Sequence, residues 1–135
     1  MRIMLDTNIL ISAAVLSSHR IISFLDDISE HHTIVLSTYI VEELKRVTNE
    51  KFPTKKAVIE QFLRELPFEL VYTPEKIDSG QYPDIKDKKD LPILVTAIHE
   101  NIDVLLSGDN HFTSLELERP EFMTIRNFME KYGHF

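Results

Sequence analysis

The chain has 135 residues, 43% of them hydrophobic and 27% charged, with a net charge of −7 from 22 acids against 15 lysines and arginines. That length suits one domain with a single core, so residues 1–135 read as one unit. The absence of cysteine excludes a disulfide framework and a thiolate metal site, and the acid excess argues against a broad basic nucleic-acid-binding face. Part of that excess can belong to a metal site, where a bound cation inverts the local electrostatics.

The chain opens on Met1-Arg2-Ile3-Met4-Leu5-Asp6-Thr7-Asn8. Residues 2–6 read as a strand, apolar nearly throughout, as in a central parallel strand covered on both faces. This start reads as neither a signal nor a transit peptide. The apolar stretch 9–16 is too short to span a bilayer. A cytoplasmic protein without membrane contact is expected.

Asn8 is placed to cap a buried helix over residues 9–16. A second helix is expected near residues 20–30, where Ile21, Ile22, Phe24, Leu25 and Ile28 recur at helical spacing. The adjacent His31-His32 suits its end, where positive charge is favoured. Residues 33–36 form a short β-branched strand. Ser37 or Thr38 then caps a helix to about residue 49. Pro53 breaks the chain, and a further helix from Thr54 turns Ala57, Val58, Phe62, Leu63 and Leu66 inward until Pro67 ends it. Residues 68–72 are a third strand.

Residues 74–89, rich in Pro, Gly, Asp and Lys, form the longest irregular stretch. Such a loop in a compact domain is usually functional or disordered. Asp90 caps a helix over about 91–101, with Pro92 tolerated in its first turn. Residues 103–107 and 122–125 are the last two strands, and 126–132 the last helix, ended by Gly133. Strands alternating with helices throughout indicate an α/β domain with a parallel sheet.

Parallel strands share a carboxyl end, and in open α/β sheets that end carries the ligand crevice. Asp6 ends the first strand and Asp109 follows Ser107-Gly108 at the end of the fourth, so both can reach one crevice. Either acid alone is explained as a turn or cap residue. The pair, with Asn8 after the first and Gly108 before the second, favours a site.

The helix after the second strand offers Glu42 and Glu43. Its buried stripe is Ile40, Val41, Leu44 and Val47. Glu43 lies at the edge of that stripe, roughly 90° from its centre, and Glu42 points almost directly away, at roughly 170°. Glu43 is therefore the candidate. Glu42 suits the solvated face, with Lys45 and Arg46 as ion-pair partners, although a surface role is equally open to Glu43. For Asp90 a helix cap is sufficient, and a place at the sheet edge is also open. Acids converging in one crevice raise each other's pKa unless a cation neutralises them. All-oxygen donors favour a hard ion, Mg²⁺ or Mn²⁺. Metal-assisted phosphodiester hydrolysis fits that chemistry.

With these positions in view, the sequence resembles the PIN-domain nucleases. The motifs are Leu5-Asp6-Thr7-Asn8, the helix Ser37-Thr38-Tyr39-Ile40-Val41-Glu42-Glu43-Leu44, Asp90-Leu91-Pro92-Ile93-Leu94, and Ser107-Gly108-Asp109. They cover essentially the whole chain in the family's order, and the position before the leucine again selects Glu43. The resemblance implies a three-layer α/β/α sandwich around a parallel sheet of about five strands, in order 3-2-1-4-5. It implies an Mg²⁺- or Mn²⁺-dependent ribonuclease with Asp6, Glu43, Asp90 and Asp109 around the metal. Asn8 and Ser107 would orient the acids or bound water, and Thr7 would cap backbone.

Small single-domain members of the VapC-like group are toxins of toxin–antitoxin pairs, so a protein antitoxin, an RNA substrate and a homodimer are implied. Arg46, Lys86, Lys88 and Lys89 are candidate phosphate contacts. Many members carry a further helical acid or a more elaborate loop after the third acid, whereas this chain goes quickly to Asn110-His111-Phe112, where His111 reads as a surface or capping residue. Two alternatives stand beside the nuclease. One is a binding module with a weakened metal site. The other is an Asp6-nucleophile phosphatase, although Asn8 stands where phosphatases of the haloacid-dehalogenase type want a second Asp.

Overall fold

The structure, a computed structural model, describes residues 1–85, 87–108 and 117–133. Five parallel strands form one sheet in the order β3-β2-β1-β4-β5: β1 (Arg2–Leu5), β2 (Thr33–Ser37), β3 (Glu69–Val71), β4 (Val104–Leu106) and β5 (Glu121–Met123). Around them lie α1 (Thr7–Ala14), α2 (His19–His31), α3 (Thr38–Lys51), α4 (Lys56–Glu65), α5 (Leu91–His99) and α6 (Ile125–Tyr132).

β1 is the middle strand. Met4 is in register with Val35 on one side and Leu105 on the other. Ile3, Met4 and Leu5 are all 0% exposed. Successive strand residues point to opposite faces, so the sheet is covered on both. This is the condition under which a strand is written as a continuous apolar run. Between β1 and β4 the strand order reverses direction. That seam is the topological switch point at which open α/β sheets hold ligands. Among the described residues no single helix is long and apolar enough to cross a membrane.

Several boundaries differ from expectation for local reasons. α1 begins at Thr7, because Asp6 and not Asn8 is its cap: the Asp6 carboxylate accepts the Thr7 amide. Asn8 lies within the first turn, exposed. In α4 the apolar stripe runs through Ile59, Phe62, Leu63 and Leu66, the spacing of one helical face. Ile59 is its buried residue, whereas Ala57 and Val58 are exposed. α5 stops at His99, and Asn101 follows with a left-handed φ of 52°, a conformation Asn tolerates better than most residues.

α6 closes the far side of the sheet. Thr124 caps it, accepting the Asn127 amide at 3.1 Å. Its Phe128 is 0% exposed and packs edge-to-face on Phe24 of α2 at 5.9 Å between centroids. Gly133 does end the helix, but at φ −76°, so left-handed freedom is not what it supplies. A Cβ there would sit 2.3 Å from the Met129 carbonyl oxygen; the helix end passes too close to its own backbone for a side chain.

Candidate active site

The site is built on the end of β1. The Asp6 amide continues the ladder by donating to the Leu106 carbonyl at 2.9 Å, and Asp6 is 4% exposed. Both carboxylate oxygens are held. Oδ1 accepts the Thr7 amide at 2.7 Å, and Oδ2 accepts the Ser107 hydroxyl at 2.9 Å. Ser107 is itself buried, and its amide donates to the Met123 carbonyl at 3.0 Å. The expected partnership of Ser107 with the acid is therefore a direct bond across the β1–β4 seam.

Glu43 arrives from α3. Ser37 caps that helix, accepting the Ile40 amide at 3.1 Å, and so sets its phase. Ile40, Leu44 and Thr48 are buried. Glu43 falls at the stripe's edge with 17% side-chain exposure, while Glu42 is exposed. The Thr7 hydroxyl donates to Glu43 Oε1. Arg46 approaches Glu43 Oε2 at 3.8 Å and Glu50 at 3.5 Å, so it turns to these acids and not to Glu42 as expected. Thr7 is the residue that sequence reasoning misassigned. It is a buried link between Asp6 and Glu43 as well as a backbone group, and its only signal was its place directly after the strand-end acid.

Asp90 comes from the loop before α5, and the cap expected of it is absent. Asp87 caps the preceding turn, accepting the Lys89 amide at 3.0 Å. Asp90 itself is in helical conformation, φ −85° and ψ −12°, with no side-chain cap bond. Its carboxylate lines the same cleft as Asp6 and Glu43. The Tyr39 hydroxyl donates to the Lys89 carbonyl at 2.8 Å, tying this loop to α3. Burial, and then the charge of Glu43, raise the Tyr39 pKa, so it stays a neutral donor.

The cleft has a volume of about 600 Å³. Asp6, Glu43, Glu50, Asp87 and Asp90 line it as acids, with Thr7 and Asn8 beside them. Arg46, Lys51 and Lys89 supply cations, and Ile11, Val47 and Phe52 an apolar wall. Ile11, expected in the core, is only partly buried and faces this space. Lys51 was not anticipated. Lys88 is exposed and is not part of the lining. Asp109, Lys86 and His111 lie outside the described residues.

Burial raises the Asp6 pKa above the ordinary carboxylate value. The Ser107 and Thr7 bonds act against this, and the charges of Asp90 and Glu43 add to it. The acids therefore feel one another across the cleft.

A PIN-domain family profile matches residues 2–111. The chain belongs to the PIN-domain family. Family membership accounts for the order of the motifs and for the sheet order seen here. This PIN domain is similar to VapBC2 from Rickettsia felis bound to a DNA fragment from their promoter. The match has a TM-score of 0.72 and 21% identity, over 92% of this chain and 98% of that one. It is also similar to VapBC-1 from nontypeable Haemophilus influenzae, with a TM-score of 0.59 and 18% identity over 93% and 99% of the two chains. No curated protein sequence matches it. PIN domains are generally nucleases and typically metal-dependent.

The donor set of this PIN domain fits a hard divalent cation chemically. It is all oxygen, and a carboxylate whose pKa is raised by burial first and by two nearby acids further is where a positive charge is stabilising. Among the described residues no three acids or histidines are gathered closely enough to hold an ion as a cage. A hard ion that keeps several waters needs only one or two carboxylates. Thr7 links two carboxylates here, Asp6 through its amide and Glu43 through its hydroxyl.

Proposed function

We propose that this PIN domain is an Mg²⁺- or Mn²⁺-dependent endoribonuclease, the toxin of a toxin–antitoxin pair. The observation that carries the reading is the buried Asp6, its pKa raised, in one cleft with Glu43 and Asp90. A divalent cation bound there would supply an activated water and neutralise charge on the leaving oxygen. Asp6, Glu43 and Asp90, with Asp109, are the residues proposed to hold it. Ser107 and the Thr7 amide fix Asp6, and the Thr7 hydroxyl fixes Glu43, so neither carboxylate must reorganise as charge develops. Asn8 at the mouth can donate to a phosphate oxygen or to an ordered water.

Arg46 and Lys89 face the cleft and are proposed to hold the phosphates beside the scissile bond, with Lys86 and Lys88 on the same loop. A protein antitoxin is proposed from the likeness to VapBC structures, and a homodimer from the resemblance to the VapC-like group. The test is cleavage of single-stranded RNA by the purified protein with Mn²⁺, with chelator, and by Asp6→Asn. Cleavage that needs the ion and disappears in the variant is expected. Equal cleavage by Asp6→Asn would remove Asp6 from the chemistry.

One observation favours a second reading, a binding module without activity: no three-acid group is gathered among the described residues. Titration calorimetry separates the two, since the module predicts no Mn²⁺ binding. The aspartyl-phosphate reading has Asn8 where phosphatases of the haloacid-dehalogenase type want a second Asp.

A further inference from the structure

The chain carries a net charge of −7, yet residues 45–56 hold five of its 15 lysines and arginines (Lys45, Arg46, Lys51, Lys55 and Lys56) against one acid, Glu50. Elsewhere Arg2 pairs with Glu69, Arg119 with Asp103, Arg126 with Glu130 and Lys131 with Glu121. Among the described residues the four lysines of this stretch make no ion pair. All four are exposed.

Two of them, Lys45 and Lys56, line a groove with Arg46. Lys45, Arg46 and Asn49 of α3 face Lys56 and Glu60 of α4 across a cavity of about 370 Å³ floored by Ile59. Arg46 belongs to both this groove and the acidic cleft. The two spaces therefore meet at one side chain on the crest of α3, with Lys51 on the cleft side.

A strand of RNA has a difficulty at the cleft that this groove resolves. Asp6, Glu43 and Asp90 repel the phosphate they are to cleave, so affinity must come from phosphates on either side. We infer that the α3–α4 groove is a second phosphate-binding site, which carries the single strand from the cleft over Arg46 and onto Lys45 and Lys56. The Asn49 amide, between them, can donate to phosphate or base edges. Glu60 is the one acid among the lining residues. The inference rests on the nuclease reading for the identity of the ligand. An acidic protein segment is the competing occupant.

The test uses the full chain and a labelled single-stranded RNA. Binding is read by fluorescence anisotropy in chelator at several salt concentrations, for wild type and for Lys45→Gln/Lys56→Gln. These neutral changes at exposed positions spare the fold. Each single-strand phosphate contact contributes about 0.7 to the slope of log K against log salt, so the double variant should lose about 1.4. Its KM should rise about tenfold or more with kcat unchanged, while Lys76→Gln, which lines neither cavity, changes neither.

An unchanged slope and KM in the double variant would overturn the groove while leaving wild-type cleavage, and with it the nuclease reading, intact. Binding of an acidic peptide lost in that variant, with RNA binding retained, would overturn it in favour of a protein partner. Wild type that neither binds nor cleaves RNA would overturn both.

Discussion

The Ser107 hydroxyl donates to Asp6 Oδ2 at 2.9 Å, from the strand neighbouring the one that delivers the acid. The bond spans 101 residues of sequence and is buried. It opposes the upward pressure of burial on the Asp6 pKa, so it holds the carboxylate nearer its charged form. Ser107→Ala leaves that oxygen without its donor, a loss of about 1–3 kcal/mol. The variant should unfold at lower temperature in chelator. It should also need roughly 10–100-fold more Mn²⁺ for half-maximal cleavage. An unaltered Mn²⁺ requirement would make the serine a purely structural residue.

Asp6 also sets a pH dependence. Its folded pKa is raised by burial first, and by Asp90 and Glu43 further. The native state thus holds this proton more tightly than the unfolded chain, whose value is about 3.9. Stability falls as pH rises through the window between those two values, and above it the cost stays constant. Asp6→Asn removes that cost while keeping an acceptor for the Thr7 amide. In chelator at neutral pH the variant should melt above wild type, and the gap should close below about pH 4. Added Mn²⁺ should raise the melting temperature of wild type alone. A variant less stable than wild type at neutral pH would mean that the two hydrogen bonds outweigh desolvation.

Thr7 separates positioning from folding. Thr7→Val keeps the shape and removes the donor to Glu43 Oε1. The net stability loss should be near 1 kcal/mol, whereas cleavage should fall roughly 10–100-fold, as for other residues that orient metal ligands. Glu43→Gln should abolish cleavage, and Glu42→Gln on the exposed face should leave it at the wild-type level. Equal loss in both glutamate variants would sink the helix-phase assignment.

The helix phase that separates these glutamates was readable because α3 is long and its stripe of Ile40 and Leu44 is strongly periodic. The sheet order was readable for a similar reason: buried parallel strands are continuous apolar runs, and the motifs at their ends fall in a recognisable order. What escaped the sequence was chemistry that depends on contacts between distant elements. An aspartate before a helix reads as a cap. Asp87 and Asp90 both qualify, and only the turn between them decides that Asp87 caps and Asp90 makes no cap bond, although both line the cleft. Asp6 took the cap expected of Asn8 because a strand-end acid can turn back on the next amide. Thr7 meets Glu43 36 residues away, and its place after the strand-end acid is the one local sign of it. The groove lysines read as an ordinary charge run until α3 and α4 are placed side by side.

At the opposite edge of the sheet, α6 is tied to β5 by Glu121. Its carboxylate accepts Lys131 Nζ at 2.7 Å and the Tyr132 hydroxyl. Those two donors, Lys131 foremost, hold its pKa below the usual glutamate range against the opposing effect of burial. A lowered folded pKa means stability that is present above the unfolded value of about 4.3 and lost as pH falls through the folded one. Glu121→Gln should therefore melt below wild type at neutral pH and converge with it in acid. The gap should be small and should shrink with salt, because the pair is exposed. Phe128, fully buried against Phe24, should dominate the same attachment: Phe128→Ala should cost about 3–5 kcal/mol at every pH. Melting curves of both variants across pH distinguish the electrostatic tie from the packed one. A Glu121→Gln deficit that persisted unchanged in acid would show that shape, and not charge, holds the helix there.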